Sequence, residues 1–216
     1  MMFEKIFPKV HPEGYKFLII SLIITLIILS ISSFFGLIFI FITIWVYYFF
    51  RDPERIVLED SNYLVSPADG RISSISEVKG PVELGLDSKQ FTRVSIFMNV
   101  FDCHVNRSPT NGEIEEIFYK PGKFLNASLD KASEENERNY FKIKNDTNEN
   151  IVVVQIAGLV ARRIVTQVEK KETLKQGQRL GMIRFGSRVD VYYTQRKTMV
   201  KVGQNVIAGE SIIASF

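Results

Sequence analysis

The hydrophobic positions of this chain fall into two regimes. From Phe17 to Phe50 no charged residue interrupts an apolar run, whereas beyond Tyr63 apolar and polar positions alternate in short stretches. As one helix the run would be roughly 51 Å long at 1.5 Å per residue, and a bilayer core is only about 30 Å thick. That surplus predicts a break, and Ser30-Ile31-Ser32-Ser33-Phe34-Phe35-Gly36 is where small and polar residues gather. Two helices, about Phe17–Ile31 and Leu37–Phe50, would each reach roughly 21–23 Å. They suit a tight hairpin that need not cross the whole bilayer. The alternative is a single tilted span of about 23 residues.

Period-2 alternation bounded by Gly, Pro, Asn and Asp predicts strands over Arg71–Glu77, Phe91–Met98, Glu113–Tyr119, Tyr140–Lys144, Ile151–Ile156, Arg163–Val168, Gly181–Phe185 and Arg188–Tyr193. The fold class is therefore mainly β and antiparallel, a sandwich or barrel-like domain over residues 51–216, preceded by a polar lead-in and an α-helical membrane hairpin over residues 1–50. His11-Pro12-Glu13-Gly14 in the lead-in reads as a turn, and Gly158 as a turn or bulge. Lys175-Gln176-Gly177-Gln178 and Lys201-Val202-Gly203-Gln204 form a weak repeat, similar to the hairpins of biotinyl and lipoyl folds. Lys123 to Asn139, with Leu125 and Leu129 at helical spacing, reads as a loop with a short helix over the site.

Charge adds topology. Lys5, Lys9 and Lys16 precede the apolar run and Arg51 and Arg55 follow it, which places both ends of a hairpin in the cytoplasm. Trp45, Tyr47 and Tyr48 stand where an interfacial belt would lie. The run is too long for a cleaved signal peptide. A formal net charge of +3 is too small to imply a nucleic-acid partner and suits docking on anionic lipid. Cys103 is the lone cysteine, which excludes an internal disulfide and a cysteine-only metal site, and no metal is expected.

Candidate chemistry centres on Arg184-Phe185-Gly186-Ser187-Arg188-Val189-Asp190-Val191-Tyr192. A Gly-Ser pair inside a strand pattern is also what a bulge or tight bend looks like. Its chemical reading is that the Ser187 hydroxyl attacks the Gly186 carbonyl, which glycine leaves sterically open. The peptide becomes an ester, β-elimination cuts the chain, and hydrolysis of the resulting dehydroalanine leaves a pyruvoyl group. Such a carbonyl forms a Schiff base and accepts electrons as pyridoxal does. Attack needs a base, and the chain has only His11 and His104. His104 could equally be structural. Asp69, in Ser66-Pro67-Ala68-Asp69-Gly70, could orient an imidazole or simply make a turn.

The stretch Gly181–Tyr192 resembles the cleavage region of the short, membrane-anchored phosphatidylserine decarboxylases, with Phe-Gly-Ser-Arg where longer members carry Leu-Gly-Ser-Thr. Phe50-Arg51-Asp52-Pro53, Ser66–Gly70, Asp102-Cys103-His104, Asn136-Glu137-Arg138 and Ala157–Arg163 match in family order over nearly the whole chain. The resemblance implies decarboxylation of phosphatidylserine to phosphatidylethanolamine and CO2 in phospholipid biosynthesis, by a zymogen that cuts itself at Gly186-Ser187. Its implied cofactor is a pyruvoyl group made from Ser187, and its product a heterodimer of a β chain (1–186) and an α chain (187–216). By the same resemblance Asp69, His104 and Ser187 act as orienter, base and nucleophile, at the inner membrane with the catalytic domain on the cytoplasmic side.

Arg107 stands where longer members have a second histidine, so His104 serves both steps or Arg107 takes over substrate electrostatics. Asn136, Glu137 and Arg138 are weaker substrate-binding candidates, and Arg162 and Arg163 could meet phosphate. Alternatives are a lipoyl carrier modified at Lys131, an uncut membrane adaptor, and an ether-lipid serine headgroup as substrate.

Overall fold

The computed structural model describes residues 7–124, 135–158, 163–184 and 187–216. Their contacts divide the chain into two compact units, one of Met1–Glu54 with Phe101–Cys103, the other of Arg55–Val100 with His104–Phe216.

In the first unit two apolar helices follow a short 3-10 turn over Pro12–Gly14, α1 over Tyr15–Ile31 and α2 over Ser33–Phe49. The break is narrower than the sequence suggests. Only Ser32 leaves the helical region, at φ −154° and ψ 119°, and its N–H still closes on Ile28 O. Gly36 makes so abrupt a turn possible, since a Cβ there would lie 2.3 Å from Leu29 Cδ2. Ser21 and Thr25 on α1 share a hydrogen-bonded cluster with Thr43 on α2 (2.7 and 2.8 Å). Thr25 is buried, as are Gly36 and Phe49, while Ile20, Leu22, Ile23, Leu26 and Phe41 stay exposed. The stretch Pro12–Ile31 is long and apolar enough to cross a membrane, and Ser33–Phe49 is shorter. At the unit's other end Arg51 donates to Tyr48 O (2.7 Å) and Phe101 O (2.9 Å). His11, also buried, accepts from Glu13 N and closes the predicted turn.

The second unit is antiparallel β, as the alternation predicts. Its strands are β1 (Tyr63–Val65), β2 (Gly70–Lys79), β3 (Gln90–Met98), β4 (Val105–Arg107), β5 (Gly112–Lys120), β6 (Arg138–Lys144), β7 (Asn150–Ala157) and β8 (Arg163–Thr166). They continue as β9 (Thr173–Leu174), β10 (Arg179–Arg184), β11 (Ser187–Tyr193), β12 (Lys197–Thr198), β13 (Asn205–Val206) and β14 (Ile212–Ser215). The large sheet runs β13-β2-β3-β11-β7-β6-β5-β9, with three-stranded sheets β4-β10-β8 and β1-β14-β12 beside it. Ile96, Val153, Val189, Val191 and Leu180 are among the residues that fill one core between sheets, and a smaller cluster of Leu84, Phe91, Tyr140, Val154 and Ile156 covers the other face. The two- and three-residue strands escape an alternation test, because so short a stretch has no period to show.

The Lys-x-Gly-Gln repeat builds the same turn twice. Lys175 N donates to Gln178 Oε1 (3.0 Å) and Lys201 N to Gln204 Oε1 (3.1 Å). Gly177 and Gly203 supply the positive φ, +78° and +90°. Each turn precedes a strand. The predicted loop and helix over Lys123–Asn139, and Lys131 of the carrier alternative, lie largely outside the described residues.

Candidate functional site

β11 lies in the middle of the large sheet, paired on one side with β3 and on the other with β7. Ser187 opens it, opposite Met98 and Ala157, with no exposed surface. The strand before it, β10, belongs to a different sheet. The chain thus leaves one sheet at Arg184 and enters another at Ser187, while Phe185 and Gly186 themselves lie outside the described residues. Ser187 Oγ is buried and makes no hydrogen bond among the described residues. A hydroxyl left so costs about 1–3 kcal/mol.

Around Ser187 the predicted residues separate into two groups. Asn136 Nδ2 donates to Ala157 O (2.7 Å) and Ala157 N donates to Glu137 O (3.0 Å), which brings the Asn-Glu pair against the strand end opposite Ser187. The Glu137 carboxylate accepts from Ile164 N (3.2 Å). Arg138 points instead to the other face of the sheet, beside Glu83 and over the Tyr140 ring. Next to Ser187 in the same inter-sheet layer runs a polar chain that motif reasoning overlooks. Gln155 Nε2 donates to Asn106 Oδ1 (2.8 Å), and Asn139 Nδ2 reaches Gln155 Oε1 (3.4 Å) and Thr166 Oγ1 (3.0 Å). Its signal in the sequence is a lone Gln in Ile151-Val152-Val153-Val154-Gln155-Ile156, since a buried amide is retained only with partners.

The second group gathers at Asp69. Its Oδ2 pairs with Arg55 Nη2 at 2.7 Å and its Oδ1 accepts from Ala208 N at 2.8 Å. Arg107, buried on β4, donates to Gly177 O (2.9 Å), and its backbone N–H closes on Pro67 O (2.8 Å). Gly209 lies close to the side chains of both Arg55 and Arg107. The described hydrogen bonds of Asp69 thus go to Arg55 and Ala208 rather than to an imidazole.

β4 joins the groups. Asn106 belongs to the amide chain near Ser187 and Arg107 to the cluster near Asp69, on opposite faces of one short strand. His104, fully buried, immediately precedes β4, and its carbonyl accepts from Ile183 N (3.3 Å) on β10, the strand that leads toward Gly186-Ser187. Of the remaining candidates, Arg163 is exposed on β8 and Arg162 lies outside the described residues.

Fold and site together define an antiparallel β protein with an apolar helix pair and a sealed serine at a sheet-to-sheet crossing. Residues 42–214 match the sequence model of the family described as phosphatidylserine decarboxylase. The chain is 64% identical over 213 residues to the phosphatidylserine decarboxylase proenzyme of Pelagibacter ubique, covering 99% of both chains. It is 53% identical over 205 residues to the proenzyme of the same name from Ruegeria pomeroyi, covering 94% of each. With the one from Azorhizobium caulinodans the identity is 52% over 208 residues, 96% of this chain and 89% of the relative. The chain therefore belongs to the phosphatidylserine decarboxylase family.

Proposed function

We propose that this chain is the precursor of a pyruvoyl-dependent enzyme that decarboxylates phosphatidylserine to phosphatidylethanolamine. The observation that carries the reading is the Ser187 hydroxyl at the head of β11, sealed and without a hydrogen bond among the described residues, in a chain that matches named proenzymes along nearly its whole length. Ser187 Oγ attacks the Gly186 carbonyl carbon. The C–N bond breaks, the amine of residue 187 takes up a proton, and an ester joins the two parts. Loss of the Ser187 Cα proton then expels Gly186 as a carboxylate and leaves dehydroalanine, whose tautomer water converts to a ketone and ammonia. The products are a β chain of residues 1–186 and an α chain of 187–216, still held together by the pairing of β11 with β3 and β7.

His104 is the base in this proposal, supported by its burial and by its backbone bond to β10. Asp69 is the orienting carboxylate. Arg55 and Ala208 take two of its roughly four lone-pair sites, so one oxygen still has capacity for an imidazole N–H. The described structure fits a group made from Ser187: converting its unbonded hydroxyl strands no protein donor or acceptor. A pyruvoyl carbonyl supplies the electron sink for the carbon that loses CO2. Arg107, with Asn136 and Glu137, supplies charge and hydrogen bonds for substrate. The helix pair carries the domain on a phospholipid membrane, in this proposal the inner membrane with residues 51–216 on the cytoplasmic side.

The deciding experiment is intact mass of the purified protein beside release of labelled CO2 from phosphatidylserine in detergent micelles. Two pieces, of residues 1–186 and 187–216 with a blocked second N-terminus, are expected with activity. An active protein of one uncut chain would overturn the proposal.

A further inference from the structure

The amide chain beside Ser187 has a direction. It starts at Thr166, exposed on β8, which accepts from Asn139 Nδ2 at 3.0 Å. Gln155 Oε1 accepts from the same nitrogen at 3.4 Å, and Gln155 Nε2 donates to Asn106 Oδ1 at 2.8 Å. The Gln155 and Asn106 oxygens are thus both met, and the chain ends in the Asn106 amide nitrogen. That nitrogen carries two N–H groups, yet among the described residues its one acceptor is the Met98 thioether sulfur, 3.6 Å away. An amide oxygen in that place would set lone pair against lone pair, so the sulfur confirms which end is nitrogen. Asn106 has no exposed surface. A sealed amide donor turned to so weak an acceptor is poised for a better one.

Strand register puts this donor over the head of β11. Met98 on β3 is the partner of Ser187, Gln155 on β7 is the partner of Val189, and β11 runs between those two strands. Paired residues show their side chains to the same face. The Asn106 carboxamide touches both Met98 and Gln155, so it bridges β11 between Ser187 and Val189. We infer that Asn106 is a catalytic residue of chain cutting, its Nδ2 donating to the carbonyl oxygen of the attacked peptide as that oxygen becomes negative. The inference rests on the proposed attack by Ser187. The attacked carbon is bonded to Ser187 N, so covalent geometry alone keeps its oxygen beside the strand head. As Ser187 Oγ bonds to that carbon, the C=O electron pair moves to oxygen and the base takes the hydroxyl proton. The oxyanion collapses as the C–N bond breaks, and the freed amine takes up a proton. A donor that meets only sulfur beforehand gives up little and gains a charge-assisted bond, so it acts on the barrier. Gln155 is then a positioning residue that fixes which way the amide faces. A purely structural amide chain explains the Gln155–Asn106 bond but not a terminal nitrogen left on a thioether.

Self-cleavage of the freshly translated full-length precursor in detergent, followed on gels with and without hydroxylamine, tests this. Asn106→Leu removes the donor at nearly constant volume and should slow cutting by about 10²–10³-fold, as loss of one oxyanion donor does. Gln155→Leu removes the same hydrogen bond but leaves the donor, and should slow cutting no more than about tenfold. The paired variant Asn106→Leu with Gln155→Leu replaces both partners by apolar side chains, the change that folds tolerate best. It should keep the wild-type circular dichroism and cut as slowly as Asn106→Leu alone. Hydroxylamine splits the ester, so it should hasten cutting in wild type but not in Asn106→Leu, where the ester itself forms slowly. A merely structural role would leave that contrast unchanged. Prompt hydroxylamine cutting of Asn106→Leu would place the donor after ester formation and overturn the inference. Cutting at the wild-type rate in the single or the paired variant would overturn it too, while the wild type, still cutting, keeps the proposed function intact. A wild-type chain that never cuts would overturn both.

Discussion

The two faces of β11 are unlike in every respect but the backbone they share. Ser187, Val189, Val191 and Tyr193 look into the main core, while Arg188, Asp190 and Tyr192 look the other way, the last two lining a charged pocket. On the first face the Ser187 hydroxyl is buried and makes no hydrogen bond among the described residues. On the second, an ion pair at 2.8 Å sits with 3% and 1% of its side-chain surface exposed. Buried pairs add little stability over apolar residues of the same size, so their value here is specificity. A slip of one residue would put Arg188 and Asp190 into the apolar core and Ser187 out of it, and every side chain would change face. The charged face thus fixes the register that places the serine at the sheet crossing. In the proposed function one face carries the chemistry and the other holds it in place.

Removing the hydroxyl breaks the comparison most completely. Ser187→Ala should leave one full-length chain with no measurable CO2 release from phosphatidylserine, while circular dichroism shows the β signature unchanged. Cleavage in that variant would mean that Ser187 is not the nucleophile.

Next comes the base. His104→Ala should slow self-cleavage by about 10²–10⁴-fold, the usual worth of general-base help, and Asp69→Ala should slow it less, since in the proposal that carboxylate acts through His104. Gel analysis of freshly translated protein over time measures both. Cutting at the wild-type rate in His104→Ala would assign the base elsewhere.

The opposite face should respond in stability. Asp190→Leu leaves Arg188 as a buried charge without its carboxylate, and should destabilise the protein by about 3–5 kcal/mol. The double variant Arg188→Met with Asp190→Leu should recover most of that loss. Chemical unfolding in the uncut Ser187→Ala background reads both without interference from chain scission. If the double variant is stable yet cuts slowly, register is what the pair protects. Cutting at full rate would leave the pair without that role.

Much of this division was legible in the sequence, because alternation of Val and charged residues in Ser187–Tyr193 announces a strand with two different faces, and Gly186-Ser187 marks its head. The longer strands followed from periodicity in the same way, and the apolar helix pair from an uncharged run too long for one span. What stayed hidden depends on contacts between distant segments. Asp69 reads as a turn residue, and nothing local shows that Arg55 and the Ala208 N–H would reach it. Asn106 and Gln155 lie 49 positions apart in the chain and meet only because β4 packs against the large sheet. Likewise Arg138 reads as part of one Asn-Glu-Arg motif, yet the pleat sends it to the face opposite that motif's partners.

The smallest effect concerns pH and the rim of the charged pocket. Burial alone would raise the Glu83 carboxyl, but hydrogen bonds from Lys120, a backbone N–H and Tyr140, with the Lys120 charge, together outweigh it and hold the group below the ordinary glutamate range. A carboxyl depressed in the folded state contributes stability that is present above its unfolded pKa and is lost as pH falls through the lower, folded value. Lys120 is nearly half exposed, with 42% of its side-chain surface open, so the pair contributes no more than about 1 kcal/mol. Glu83→Gln should therefore cost little near neutrality and flatten the acid limb of the stability curve. Urea unfolding of the uncut protein at about pH 6 and about pH 3 measures the difference, which should shrink by less than about 1 kcal/mol in the variant. An acid limb as steep in Glu83→Gln as in wild type would trace it to other carboxylates, and the pocket's charge would then play no part in how the fold meets acid.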